Sequence, residues 1–99
     1  MSSQKVSLSI NDVSVPIVEF VQGFINKVVT GMLSSLKGVD KIRSVNLSLN
    51  GDEVDINVND TAVPSNEFVN EFIRNTVIGM VTSLKGVDQV DKLEIIITE

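Results

Sequence analysis

The sequence predicts an α+β fold in which two helices pack on one face of a four-stranded antiparallel sheet, in the order βαβ–βαβ. Three observations carry this expectation. Residues 6–49 align without a gap on residues 54–97, sharing the blocks N-D-x-x-V-P, E-F-V-x-x-F-I and G-M-x-x-S-L-K-G-V-D. Each copy switches from two-residue alternation to helical periodicity and back. Between the copies stands Asn50-Gly51, a strong hairpin signal because both residues tolerate positive φ.

The first strand of each copy reads Val6, Leu8, Ile10 and Val54, Ile56, Val58, alternating with polar neighbours. Pro16 and Pro64 come next and suit a helix's first turn, where the missing N–H costs nothing. At 100° per residue, Phe20, Val21, Phe24, Ile25, Val28, Val29, Met32 and Leu36 share one side of the first helix. Phe68, Val69, Phe72, Ile73, Val77, Met80 and Leu84 repeat that side in the second. These are the predicted core faces, which leaves Leu33, Ile78 and Val81 on the predicted solvent side. A single Ala and many β-branched residues make the helices poor by propensity, so packing must hold them.

Gly38 and Gly86 suit the C′ position past each helix end, after Lys37 and Lys85 at the negative end of the dipole. Gly31 and Gly79 sit mid-helix, where Gly costs about 1 kcal/mol against Ala. The expected compensation is close approach of helix to helix or sheet. The last strands are Val45, Leu47, Leu49 and Leu93, Ile95, Ile97. A two-residue turn at Asn50-Gly51 places Leu47 opposite Val54 and Val45 opposite Ile56, and a one-residue slip would scramble both faces. Asn11-Asp12 and Asn59-Asp60 are turn dipeptides as well. The alternative architecture is therefore a duplicated ββαβ, with short extra strands at 13–15 and 61–63.

The βαβ–βαβ plan resembles the ferredoxin-like superfold, strand order 4-1-3-2, which hosts many unrelated functions. The resemblance implies edge strands at 42–49 and 91–98, with Ile96 pointing outward. The known sites of that superfold do not carry over. Its heavy-metal domains need C-x-x-C, and this chain has no Cys. Its RNA-recognition motifs need strand aromatics, and all four Phe fall in the helices. An acylphosphatase-like site needs an Arg in a phosphate-cradling loop, and Arg43 and Arg74 lie near a strand start and mid-helix. Small-ligand regulatory domains of the ACT type carry no motif that this chain could fail.

Composition narrows the function further. Ninety-nine residues suit one domain over 1–99, at roughly 100–200 residues per domain. Without His or Cys, imidazole and thiolate metal sites and the usual nucleophile–base pairs are excluded. The net charge is −5, and the acids concentrate in the second half; nucleic acid repels such a chain. Asp55-Ile-Asn57-Val-Asn59-Asp60 opens like a calcium loop, but its sixth residue is Asp, not Gly. The solvated face of a strand explains it better. No stretch has the length of a membrane span, and Met1 to Lys5 leads straight into alternation without the apolar core of a signal peptide. The expected location is cytoplasmic.

The expected protein is thus an acidic, non-catalytic structural or protein-interaction module without cofactor or metal. An apolar content of 42% and a mean hydropathy of +0.24 point to association, and a homodimer is expected. The candidate contact residues are Leu33, Ile78, Val81 and Ile96. Replacing Leu33 and Val81 with Glu is expected to leave a folded monomer. The alternative function is a small-molecule-binding regulatory domain of ACT-like type.

Overall fold

In the computed structural model, residues 5–36, 41–64, 66–84 and 89–98 are described. The element order is β1 (Lys5–Ile10), β2 (Val13–Val15), α1 (Glu19–Ser34), β3 (Val45–Asn50), β4 (Glu53–Val58), β5 (Thr61–Ala62), α2 (Glu67–Val81) and β6 (Lys92–Thr98). The chain is α+β. One antiparallel sheet runs β2-β1-β6-β3-β4-β5. Both helices contribute to a single core against it, and the extents of 36 × 36 × 18 Å fit one sheet and one helix layer.

The sheet has six strands, not four, and each half of the chain reads ββαβ. Asn11-Asp12 and Asn59-Asp60 make two-residue turns with φ of 52° and 67°, and 53° and 64°. Positive φ at both central residues is the signature of the I′ turns that match strand twist. The resulting register pairs Ile10 with Val13 and Leu8 with Val15.

These hairpins also overturn the expected 4-1-3-2 order. β1 and β4 each spend one edge on their own short partner. The centre falls to the two strands with both edges free, β3 and β6, which pair with each other. The expected edge strands at 42–49 and 91–98 are therefore central. The true edges, β2 and β5, are three and two residues long, and short edges discourage strand addition from outside.

The central hairpin turns one residue later than expected, which shifts its pairing by two. Its turn is Gly51-Asp52, with Asn50 opposite Glu53, Leu49 opposite Val54 and Leu47 opposite Ile56. Gly51, at φ +61°, takes the first central position, where Gly costs least. A shift of two preserves face parity, so the apolar face is as expected and gains the Leu49–Val54 pair. Arg74 of α2 holds the turn, its Nε donating to the Gly51 carbonyl at 2.9 Å.

Across the inner face Leu8, Ile95, Leu47 and Ile56 stand side by side, all buried. Ile25, Val29 and Leu33 of α1 and Ile73, Val77 and Val81 of α2 cover them. Leu33 and Val81, expected to face solvent, are 0% exposed. The reason is geometric. Each helix is apolar around more than half its circumference, and the sheet takes the i, i+4, i+8 stripe of branched aliphatic residues. No polar or charged residue is buried among the described residues.

Neither Pro lies in a helix. Pro16 directly follows β2 and α1 starts at Glu19; Pro64 likewise precedes α2, which starts at Glu67. The helices are followed by the C-cap residues Ser35 and Thr82, whose hydroxyls donate to the Met32 and Ile78 carbonyls of the last turn. Gly38 and Gly86, expected as C-caps, lie outside the described residues.

Two outcomes are expected from this packing. Leu33→Ala should cost roughly 2–5 kcal/mol in urea unfolding, and Leu33→Glu should prevent folding. The N-caps differ: Asn66 accepts from the Val69 N–H at 2.8 Å, whereas its counterpart Val18 makes no side-chain cap and is exposed. Val18→Asn should therefore stabilise the chain by about 1 kcal/mol, read as a higher denaturation midpoint.

Candidate interaction surface

A helix that buries Ile25, Val29 and Leu33 must turn residues 20, 24, 27 and 31 the opposite way, since 100° per residue sets the two groups about half a turn apart. In α1 that outer stripe carries Phe20 and Phe24; in α2 it carries Phe68 and Phe72. Their exposures are 79%, 52%, 75% and 61%. Both pairs are spaced i, i+4, and the rings lie 6.3 Å and 6.1 Å apart, tilted toward each other. Such spacing stabilises a helix locally but leaves most of the ring surface in water.

Beside each Phe pair lies an apolar groove between the helices. One, of about 500 Å³, is bounded by Phe20, Phe24 and Val28 from α1 and by Thr76, Met80 and Leu84 from the other half. The other, of about 230 Å³, is bounded by Phe68, Phe72 and Val69 of α2 and by Met32 and Leu36. The first half of each helix thus faces the second half of the other, so the helices run antiparallel. No charged side chain lines either groove.

Gly31 and Gly79 sit on the same outer stripes. The expected close approach is absent: a Cβ at either would meet nothing within 4 Å. Of the four residues expected to make contacts, Leu33 and Val81 are in the core. Ile78 is half-buried and packs against it. Ile96 does point out of the sheet, but on a central strand, between Ser7 and Asn46. The structure does not bring the four together.

The opposite face of the sheet is mostly polar. Ser9, Glu94, Ser48 and Asp55 form one row across it, and Ser7, Ile96, Asn46 and Asn57 the next. A shallow depression of about 420 Å³ lies on it near Glu94 and Lys92. Among the described residues no three or more acidic side chains group in a way that could hold a metal ion. The stretch resembling a calcium loop is instead strand β4 and its turn. Asn59 there is engaged structurally: its Oδ1 accepts from the N–H groups of Arg43 (2.7 Å) and Ser44 (3.0 Å), and its Nδ2 donates to the Lys41 carbonyl.

Asn11 makes the same clasp on the other half. Its Oδ1 accepts from the Asp91 and Lys92 N–H groups at 2.8 and 2.9 Å, and its Nδ2 donates to the Gln89 carbonyl. Among the described residues no helix is long and apolar enough to cross a membrane. Comparison with protein-family models, with curated proteins and with solved structures finds no match.

Helical angle alone assigns the exposed phenylalanines to the core. The contrary signal is that Leu33, Ile78 and Val81 fell outside the apolar arc. A helix with that much apolar surface must expose some of it, and here the sheet takes the stripe of Ile, Val and Leu. With open space around them, Gly31→Ala and Gly79→Ala should each raise monomer stability by about 0.5–1 kcal/mol, measured by thermal unfolding at low protein concentration.

Proposed function

We propose that this chain is a non-catalytic protein-interaction module that associates with a second copy of itself through the outer face of its helix layer. The supporting observation is the four exposed phenylalanines on that face. At 150–250 Å² per ring, their exposed fractions amount to roughly 400–650 Å² of apolar surface. That is half or more of the ~800 Å² each partner contributes to a standard stable interface. The face also carries both halves of a self-complementary contact, namely projecting Phe pairs and uncharged grooves beside them, as an isologous two-fold dimer requires. Gly31 and Gly79 on the same stripes leave room for a partner's backbone or rings to approach.

On this reading the chain is one domain made by duplication of a ββαβ unit. It needs no cofactor, carries no active site and works in the cytoplasm. The matching Asn11 and Asn59 clasps support the duplication. The larger groove favours one competing reading, a regulatory domain that binds a small apolar ligand.

Native mass spectrometry and sedimentation velocity over a dilution series test the proposal. The native chain should be a dimer, and Phe24→Ser with Phe72→Ser should weaken dimerisation by roughly a thousandfold or more. The variant monomer should keep its circular dichroism, with its stability changed by no more than about 0.5 kcal/mol. A native chain that is monomeric throughout would sink the dimer, and a monomer carrying reproducible extra mass lost in the Phe variant would establish the ligand reading.

A further inference from the structure

Strand pairing is shared unevenly between the halves of the chain. β6 lies between β1 and β3, both from the N-terminal half. β3 lies between β6 and β4, both from the C-terminal half. Neither half's last strand has a hydrogen-bonded neighbour in its own half. The clasps obey the same rule. Asn11 of the first half holds the backbone of residues 89–92, and Asn59 of the second holds that of 41–44. The main-chain contacts Asn11 N–H to the Lys92 carbonyl and Asn59 N–H to the Ser44 carbonyl also cross between halves.

Against this network stands a slight covalent link. Two residues, Gly51 and Asp52, join β3 to β4, and Gly51 holds φ +61°. If that turn extends, residues 45–58 become one continuous strand. The C-terminal half then leaves the N-terminal half with an open slot between β1 and β3. That slot asks for an antiparallel strand with Leu, Ile and Ile facing the core, preceded by a backbone that Asn11 can clasp. Residues 89–98 meet that description, and a second copy of the chain supplies them with the same ladder and clasp contacts.

We propose that this chain exchanges halves with a second copy of itself: the slot between β1 and β3 takes the β6 strand of another molecule, with Gly51-Asp52 as the hinge. Every ladder and clasp is conserved in the exchanged pair; the two hinge turns change, and with them the hydrogen bonds that Gly51 makes there with the Arg74 side chain and the Asp91 carbonyl. The short link keeps the other half at a high effective concentration, which favours the closed single chain in dilute solution. Gly51 holds its φ of +61° without strain; strain introduced there, as by Gly51→Val, favours exchange. A β-branched residue at φ +61° is an outlier. Its relief in both hinges of a pair should shift the balance toward exchange by about a hundredfold. The exchange uses the sheet and not the outer helix face, so it stands apart from the dimer proposed above.

The test uses full-length chains and exploits the absence of native Cys. Ser9 lies directly opposite Glu94 in the β1–β6 pair. Opposed residues in such a ladder have Cα atoms about 4.5–5.5 Å apart, inside the range a disulfide spans. Chains carrying S9C and chains carrying E94C are mixed, unfolded together, refolded over a concentration series, oxidised mildly and weighed without reductant. The expected result is a disulfide-linked heterodimer that grows with concentration and becomes about a hundredfold more abundant when both chains carry Gly51→Val. A dimer formed through the helix faces holds the two polar sheet faces on opposite outer sides and cannot make this link. One chain carrying both S9C and E94C should bridge within itself, which checks the register. The proposal is overturned if that bridge fails. It is equally overturned if the bridge forms and the mixture, with the native turn, gives no heterodimer above the level of S9C chains linked to one another.

Discussion

Each half of this chain ends in a strand whose hydrogen-bond partners belong to the other half, and the rest of the architecture follows from that interlock. The hairpins β1–β2 and β4–β5 close one edge of each N-terminal strand, which forces β3 and β6 to the centre. Central strands are covered on one face by the helices, and their inward side chains are among the most buried of the chain: Leu47, Ile95 and Ile97 are at 0%. An isolated half would hold a two-stranded hairpin, a helix and a detached strand, too little to bury its apolar residues. Folding is therefore expected to be a single cooperative event involving both halves.

The Asn clasps secure the same interlock at its corners. An I′ turn needs positive φ at both central residues, which Asn tolerates better than most side chains. The amide left over at that position then satisfies two N–H groups and a carbonyl at the entrance to the strand from the other half. One residue type thus meets a backbone demand and a tertiary one together, at Asn11 and again at Asn59.

The helix layer shows what remains once the core is closed. The sheet offers a smooth aliphatic surface and accepts one stripe of Ile, Val and Leu from each helix. The second apolar stripe, with Phe20, Phe24, Phe68 and Phe72, has no partner within the chain among the described residues and faces out beside two grooves. Two helices that touch each other sparingly leave those grooves open. The proposed self-association rests on this surface and on the like composition of its two stripes.

Much of this was legible in the sequence. The repeat, the alternation of Val6, Leu8 and Ile10, the helical period and the turn dipeptides determined the element types, the inward face of each strand and the tight hairpins, because those features depend on residues close in sequence. Gly51 was recognised as a turn residue, although its turn lay one residue further on. What only the tertiary structure decided was which strands stand at the centre and which stripe of each helix is buried. Strand order depends on which edges remain free after the hairpins form. The buried stripe depends on how a sheet of given twist and side-chain shape meets a helix that is apolar on more than one side. Leu33 and Phe24 are apolar residues on opposite sides of one helix, and nothing in their spacing says which side meets the sheet; the sheet placed Leu33 in the core and left Phe24 on the surface.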